Sequence, residues 1–217
     1  MIIIKQKSFS LKILYYVIQY QWIQKGDDNI PTVTKISKDM ILDTAFDIAR
    51  TSGLDKVSNR EIAKRLNCSI RPIYYQFRDV QEMNSELIKK IWQYFYDYIF
   101  TKRDENIPEY KKTGINYIDF ACNEKELFKI LFMTNDKYLP DDDENFKKIS
   151  MFIKESGKVK DNEIKTFHYK MWIFTHGLAS LIATNAIKIS KKEISDLLTE
   201  EFNALIEIEK KEGNVNE

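Results

Sequence analysis

Glycine and proline are scarce in this 217-residue chain, at six and four. That scarcity argues against an all-β or loop-rich architecture, which needs turn residues at short intervals. Cysteine is scarcer still. Cys68 and Cys122 show no CxxC spacing. Neither a zinc site nor a disulfide framework is expected, and reduced thiols are the default. Histidine occurs only at 168 and 176. His168 and His176 lie two turns apart on roughly one side of a helix, without further metal ligands nearby. They read as packed or pocket-lining groups, and no metal or cofactor is expected. No Ser-His-Asp order, phosphate-cradling glycine loop or isolated acidic pair stands out, so an enzyme is not expected.

Long apolar runs are missing too. The nearest approach, residues 9–23, is interrupted by Lys12, Gln19 and Gln21. It falls short of the roughly 20 residues a membrane-spanning helix needs. A short basic start precedes it, but no small-residue cleavage site follows. Residues 1–32 are therefore an extension with three readings: an extra helix on the body, a surface-binding amphipathic segment, or a start assigned too far upstream. The first and last are favoured. A cytoplasmic protein without stable membrane association is the expectation.

What the chain does contain suits packed helices. It is 43% hydrophobic and 31% charged, enough to bury a core and stay in solution. Net charge is +1, but residues 1–80 hold 13 Lys/Arg against 8 Asp/Glu, while residues 81–217 hold 21 against 25. A basic first part suits an anionic partner; chance distribution is the plain alternative.

From Ile41 the apolar positions Ile41, Leu42, Ala45, Phe46, Ile48 and Ala49 form a stripe of helical period. Ser37 is placed to cap it, and Gly53 to end it in a left-handed residue. Ser58 and Glu61 read as a capping box opening a second, two-turn helix that stops at Asn67. Ser69 is expected to cap a third short helix running through Phe77, with Ile73 and Phe77 in the core. Asp79 and Glu82 repeat the box before a long fourth helix, whose inner face is Met83, Leu87, Ile91, Phe95 and Ile99. Further helices are expected near 109–122, 124–133, 142–156, 161–188 and 190–210. The acidic run 141–144 suits a helix N-terminus. The 161–188 helix is apolar nearly all round and so should be covered on more than one side. The class is all-α.

Two short helices joined by a tight turn at Asn67-Cys68-Ser69, packed on a longer first helix, form a helix-turn-helix. Such a unit holds its later short helix rigidly, so that N-terminal residues enter the major groove of DNA. The stretch ILDTAFDIARTSGLDKVSNREIAKRLNCSIRPIYYQF resembles the DNA-binding domain of TetR-type bacterial transcriptional regulators. The resemblance rests on Ala45-Phe46, Gly53, Ser58, Glu61-Ile62-Ala63, Leu66, Ser69 and Ile73-Tyr74-Tyr75-Gln76-Phe77 without a gap. Less specific features continue it to about residue 210: Tyr117-x-x-Phe120-Ala121, Leu127-Phe128, Leu131-Phe132 and His176-Gly177-Leu178.

The resemblance implies a DNA-binding domain over 33–79 and a helical ligand-binding and dimerisation domain over 80–217. It implies a homodimer through the last two helices on a near-palindromic double-stranded operator, repression as the sign, and an unknown small-molecule effector. Ser58 would offer its hydroxyl and N–H to a phosphate, and Arg60 would reach a phosphate or base. Ser69, Ile70, Arg71 and Pro72 would lie at the exposed start of the reading helix. Arg71 is the choice for base readout, since guanidinium pairs with guanine O6 and N7. Tyr74 and Gln76 match positions that touch phosphates in relatives. Many relatives carry glycine and threonine where this chain has Arg71 and Pro72, and lysine where it has Val80, for which Arg78 is the expected substitute. Asn67 replaces the usual glycine.

The aromatic-rich second part suggests a cavity between helices. Its candidates are Trp92, Phe95, Tyr98, Tyr117, Phe120, Phe128, Phe132, His168, Met171, Trp172 and Thr175, with ordinary helical core as the plain alternative. A rival of another class is a small-molecule binding protein whose DNA binding is vestigial. Salt-insensitive, weak DNA association would favour it. A membrane-tethered regulator is a third reading.

Overall fold

A computed structural model describes residues 36–101, 106–133 and 143–215. Among these residues there are nine α-helices and no strand. The sequence 9–23 and the acidic residues Asp141 and Asp142 lie outside the described residues. From Ile36 onward the chain is one compact unit.

Helix α1 spans Lys38–Ser52, and Ser37 Oγ accepts the Met40 N–H at 3.2 Å. Its stripe Ile41, Leu42, Ala45, Phe46, Ile48 and Ala49 is buried throughout. The helix ends where Gly53 adopts φ +89°, a backbone geometry that disfavours any Cβ. A Cβ there would also lie 3.0 Å from Asp55 Oδ1 and 3.3 Å from Glu126 Oε2. A 3₁₀ turn, Leu54–Lys56, follows.

Helix α2, Asn59–Arg65, starts on Ser58, whose Oγ accepts the Glu61 N–H at 3.2 Å. Only half of the expected box is made. The Glu61 carboxylate turns instead to Arg65 at 3.1 Å and Lys64 at 3.8 Å. The helix closes as the sequence suggests, with Asn67 at φ +50°. The Cys68 N–H bonds Ala63 O at 3.0 Å and the Asn67 N–H bonds Lys64 O at 3.2 Å. This pair of bonds satisfies the carbonyls left over at the helix end.

Helix α3, Arg71–Gln76, corrects the expected start. Its N-cap is Ile70, with helical backbone and no side-chain cap. The reason is Pro72. A cap at Ser69 would accept an N–H from one of the second or third helical residues. Ser69 would find Pro72 at the third, which has no N–H to give. Proline in a first turn is otherwise favourable, because its φ is already helical. The helix also stops one residue early, at Gln76, while Ile73 and Phe77 anchor it at 1% and 3% exposure.

Helix α4, Val80–Ile99, is about 30 Å long. Asp79 Oδ1 accepts the Glu82 N–H at 2.8 Å, and Glu82 Oε2 returns to the Arg78 N–H at 2.8 Å. The box thus closes one residue earlier than expected. The inner face Met83, Leu87, Ile91, Phe95 and Ile99 is buried.

The body adds α5 (Glu109–Asn123), α6 (Lys125–Phe132), α7 (Asp143–Lys154), α8 (Ile164–Ala183) and α9 (Lys191–Val215). Helix α5 is the hub, packing against α4, α6, α7, α8 and α9. Asn116, buried on α5, donates from Nδ2 to Ile99 O and Thr101 O at 3.0 Å each. It thereby satisfies carbonyls at the end of α4 that the helix itself cannot.

Helix α8 is shorter than the expected 161–188. It ends in a turn with Asn185 at φ +59°, closed by the Ala186 N–H on Leu181 O at 2.8 Å. Helix α9 runs past the expected residue 210. It opens on a complete box unseen in the sequence: Ser190 Oγ accepts the Glu193 N–H at 3.2 Å, and Glu193 Oε2 accepts the Ser190 N–H at 2.7 Å. The apolar wrap of α8 is not fully covered either. Tyr169, Ile173 and Leu181 are 60%, 50% and 46% exposed, and Ile208 on α9 is 44% exposed.

Candidate functional site

Two places are candidate sites: the outer face of α3, and a cavity in the body.

On the first, burial of Ile73 and Phe77 dictates which side chains of α3 point out. Ile70, Tyr74 and Tyr75 are 40%, 59% and 84% exposed. Ser69 and Arg71 are exposed and Pro72 is half-buried. Ser58 and Arg60 are exposed at the start of α2. Exposed aromatics next to an arginine have no packing explanation. Tyr75 was not among the sequence candidates. Its signal was available, since the residue two after a buried Ile73 and two before a buried Phe77 must face outward.

Gln76 is differently placed. Its Nε2 donates to Ile36 O at 3.1 Å, tying the end of α3 to the chain just ahead of α1. In this geometry Gln76 positions the helix, and one of its amide's two N–H groups is already engaged. Arg78 is highly exposed and meets Asp79 Oδ2 at 3.1 Å. An ion pair so exposed contributes little to stability. The Glu82 N–H, with Arg78 second, holds the Asp79 carboxyl below the usual carboxylate range.

Helix α1 is tied to the body by charge. Arg50, in the last turn of α1, grips the carboxylate of Glu124 with two nitrogens, Nε at 2.6 Å and Nη2. Glu124 is buried between α5 and α6, at 5% exposure. Tyr94 of α4 donates its hydroxyl to Glu124 Oε1 at 3.0 Å. Burial, with the Glu124 charge second, pushes the Tyr94 hydroxyl up to about 12. Lys38–Glu86 at 2.7 Å adds an outer tie between α1 and α4. These residues were not singled out in the sequence, and their separation of 74 positions between Arg50 and Glu124 leaves no local signal.

The cavity in the body measures about 700 Å³, within the range of small-molecule sites. Trp92, Phe95, Tyr117, Phe132, His168, Met171, Trp172 and Thr175 line it. Tyr98, Phe120 and Phe128 do not. Phe120 and Phe128 are wholly buried in the core, where Phe120 meets Phe95 edge-on at 5.1 Å. Tyr98 gives its hydroxyl to Asp119 Oδ2 at 2.7 Å. The sequence candidates also omitted walls supplied by α7 and α9, such as Phe152, Leu198 and Phe202.

Each histidine takes a tyrosine. Tyr117 Oη lies 2.8 Å from His176 Nδ1, and Tyr110 Oη lies 3.1 Å from His168 Nδ1. Burial pushes both tyrosine hydroxyls up, so both keep their protons. Burial also pushes His176 down, and His168 down to about 4. The sign for stability follows. With the folded value depressed, only the unfolded chain takes up a proton at His168 between about pH 6.5 and about 4. Stability is therefore lost as pH falls through that window. Chemical denaturation at pH 7 and pH 4.5 should show wild type losing about 2 kcal/mol through His168, a loss that His168→Phe reduces. Equal losses in both proteins would remove His168 as the cause.

Among the described residues, no three His, Cys, Asp or Glu side chains converge as a metal would require. Cys68 and Cys122 are both unbridged. No described helix is long and apolar enough to cross a membrane.

No family model matches the chain. Its fold matches a transcriptional regulator from Rhodococcus sp. RHA1 with a TM-score of 0.53 and 17% identity, covering 79% of this chain and 97% of that one. It matches a TetR-like transcriptional regulator from Rhodococcus sp. RHA1 with a TM-score of 0.56 and 14% identity, covering 80% and 96%. Over 102 residues, 47% of this chain, it is 24% identical to IcaR of Staphylococcus epidermidis. IcaR is described as the HTH-type negative transcriptional regulator of the biofilm operon icaADBC, and the match spans about half of its length, 49%. The all-helical architecture is that of the TetR-like regulators.

Proposed function

We propose that this chain, folded as a TetR-like regulator, is a DNA-binding transcriptional repressor that works as a ligand-responsive homodimer in the cytoplasm. The observation that carries the reading is the outer face of α3. Arg71, Tyr74 and Tyr75 stand out from a six-residue helix whose opposite side is locked into the core. Arg71 reads a base edge, and Ser58, Arg60, Tyr74, Tyr75 and Arg78 contact the backbone. Ile70 and Pro72 give the groove surface its shape.

Dimerisation through α8 and α9 gives a partner to Tyr169, Ile173, Leu181 and Ile208, which are otherwise apolar surface in water. A two-fold pair sets two reading helices about one DNA turn apart, roughly 34–36 Å, and so calls for a near-palindromic operator. A ligand in the cavity shifts the equilibrium between reading and non-reading states to the extent that it prefers one of them. Residues 33–79 act as the reader and 80–217 as the sensing body.

The test is fluorescence anisotropy with duplex DNA from upstream of the gene, over a range of salt. The expected outcome is saturable binding whose affinity falls steeply as salt rises, because phosphate contacts release counterions. Binding that is weak and indifferent to salt would sink the reading.

A further inference from the structure

The wall of the cavity has two kinds of ground. Phe95, Tyr117, Met171 and Leu198 are buried, while Glu155, Lys158, Thr199 and Asn203 stand in solvent where the chain leaving α7 meets α9. The exposed set marks the mouth. The polar groups of the wall divide in a related way. The buried hydroxyls of Thr113 and Thr175 are given to carbonyls one turn back in their own helices, Glu109 O at 3.0 Å and Met171 O at 2.8 Å. Tyr117 and Tyr110 are matched to the two histidines. At the mouth, Ser156 and Thr199 likewise donate to Ile153 O at 2.7 Å and Ser195 O at 2.8 Å. Lys111, Glu155, Lys158 and Asn203 differ. They line the cavity, and their side chains have no hydrogen bond or ion pair among the described residues.

The sign of the uncommitted charge follows. Glu109, the other acid of the wall, is held at 2.8 Å by Lys112, which is buried. Two ammonium groups, Lys111 and Lys158, then face one carboxylate, Glu155. Lys158 is placed by its own geometry. Its Nζ stands 5.7 Å from the centroid of the Phe202 ring, and Phe202 lines the cavity too. The cation thus lies over the wall rather than away from it. A ring face holds an exposed ammonium only weakly, so an anion at the mouth competes for it readily. A charge at this exposed edge keeps contact with water. It escapes most of the desolvation that it would suffer among the inner rings.

We infer that the cavity takes an amphipathic organic anion, with its apolar body among the buried rings and its carboxylate head at the mouth, paired with Lys158. Lys111 is the second cation of that mouth. The inference rests on the proposal that the cavity admits an effector. The two ends of such a ligand do different work. The body packs on Phe95 of α4, the helix that follows directly from the reading unit. The head selects: a neutral analogue forgoes the ion pair, and a cation of the same shape meets like charges.

Three ligands with one body test this on the full-length protein at neutral pH: 4-pentylbenzoate, 4-pentylbenzyl alcohol and protonated 4-pentylbenzylamine. Each is titrated against the neutral fluorescent probe N-phenyl-1-naphthylamine at low salt. The carboxylate should displace the probe at about three- to fivefold lower concentration than the alcohol, the weight of one solvent-exposed ion pair. The ammonium should be the weakest of the three. Added salt should close the gaps by screening. Lys158→Gln should remove most of the carboxylate's advantage and leave the alcohol unmoved, and Lys158→Glu should put the ammonium ahead of the carboxylate. Lys147→Gln, at an exposed lysine outside the cavity wall, should change nothing. An alcohol that equals the carboxylate, an ammonium that binds tightest, or equal effects of Lys158→Gln and Lys147→Gln would each overturn the inference. DNA anisotropy on the same samples separates the two readings. A probe that never binds to a protein that still binds DNA removes the effector and this inference together. Ligands that bind in another order overturn this inference only. A carboxylate that binds as expected without altering DNA affinity supports it and removes the proposed ligand response.

Discussion

Replacing Glu124 with alanine should lower the melting temperature by about 10 °C and loosen the reader from the body. The carboxylate is buried, and it holds two partners at once, Arg50 and the Tyr94 hydroxyl. Removing one member of a buried pair leaves the other uncompensated, at about 3–5 kcal/mol. Arg50 is 29% exposed along its side chain, so water recovers part of that, and about 3 kcal/mol is expected. For a domain of this size each kcal/mol moves the midpoint by about 2–4 °C. Glu124→Gln keeps the hydroxyl contact and should cost less. Thermal melts of the two variants check the order. A melting point unchanged by Glu124→Ala would mean that the triad does not tie α1 to α4 and the α5–α6 corner.

Arg71→Ala should weaken binding to the best operator by about 10- to 100-fold, the weight of one bidentate base contact at roughly 1–3 kcal/mol. The loss should be concentrated on that operator, with scrambled DNA bound nearly as before. Arg71 is exposed at the first position of α3, and no fold role competes with the assignment. Tyr75→Ala and Tyr74→Ala should instead weaken all duplexes alike, as backbone contacts do. Melting temperature should hold in all three, since none of these side chains is buried. Competition anisotropy with specific and scrambled duplexes separates the two patterns. An Arg71→Ala protein that binds both as wild type does would end the base-reading role.

The helix-turn-helix was legible because its signals are local. Ser37, Gly53, Ser58, Asn67 and Asp79 each act within four or five residues of themselves, so a single sequence exposes them. The misplaced cap at Ser69 was also a local matter: Pro72 removes the N–H that such a cap needs. The cavity was legible only as a tendency. Phe120 and Trp92 both lie on helices with apolar stripes, and both read as candidates for its wall. Which of them faces the core and which the cavity depends on how α4 and α5 cross α7, α8 and α9. That crossing is set by contacts far apart in the chain. The Arg50–Glu124 tie was hidden for that reason too.

The bond from Gln76 to Ile36 bears on where synthesis of a working polypeptide can begin. After Met1 the next methionine is Met40. A product initiated there lacks Ile36, the acceptor that pins the end of α3. It also lacks Ser37, which caps α1, and Lys38, which pairs with Glu86. An internal start at Met40 therefore yields a chain with a nearly whole body and an unsupported reader. Under the dimerisation proposed above, such a product would pair with full-length copies and dilute their hold on DNA.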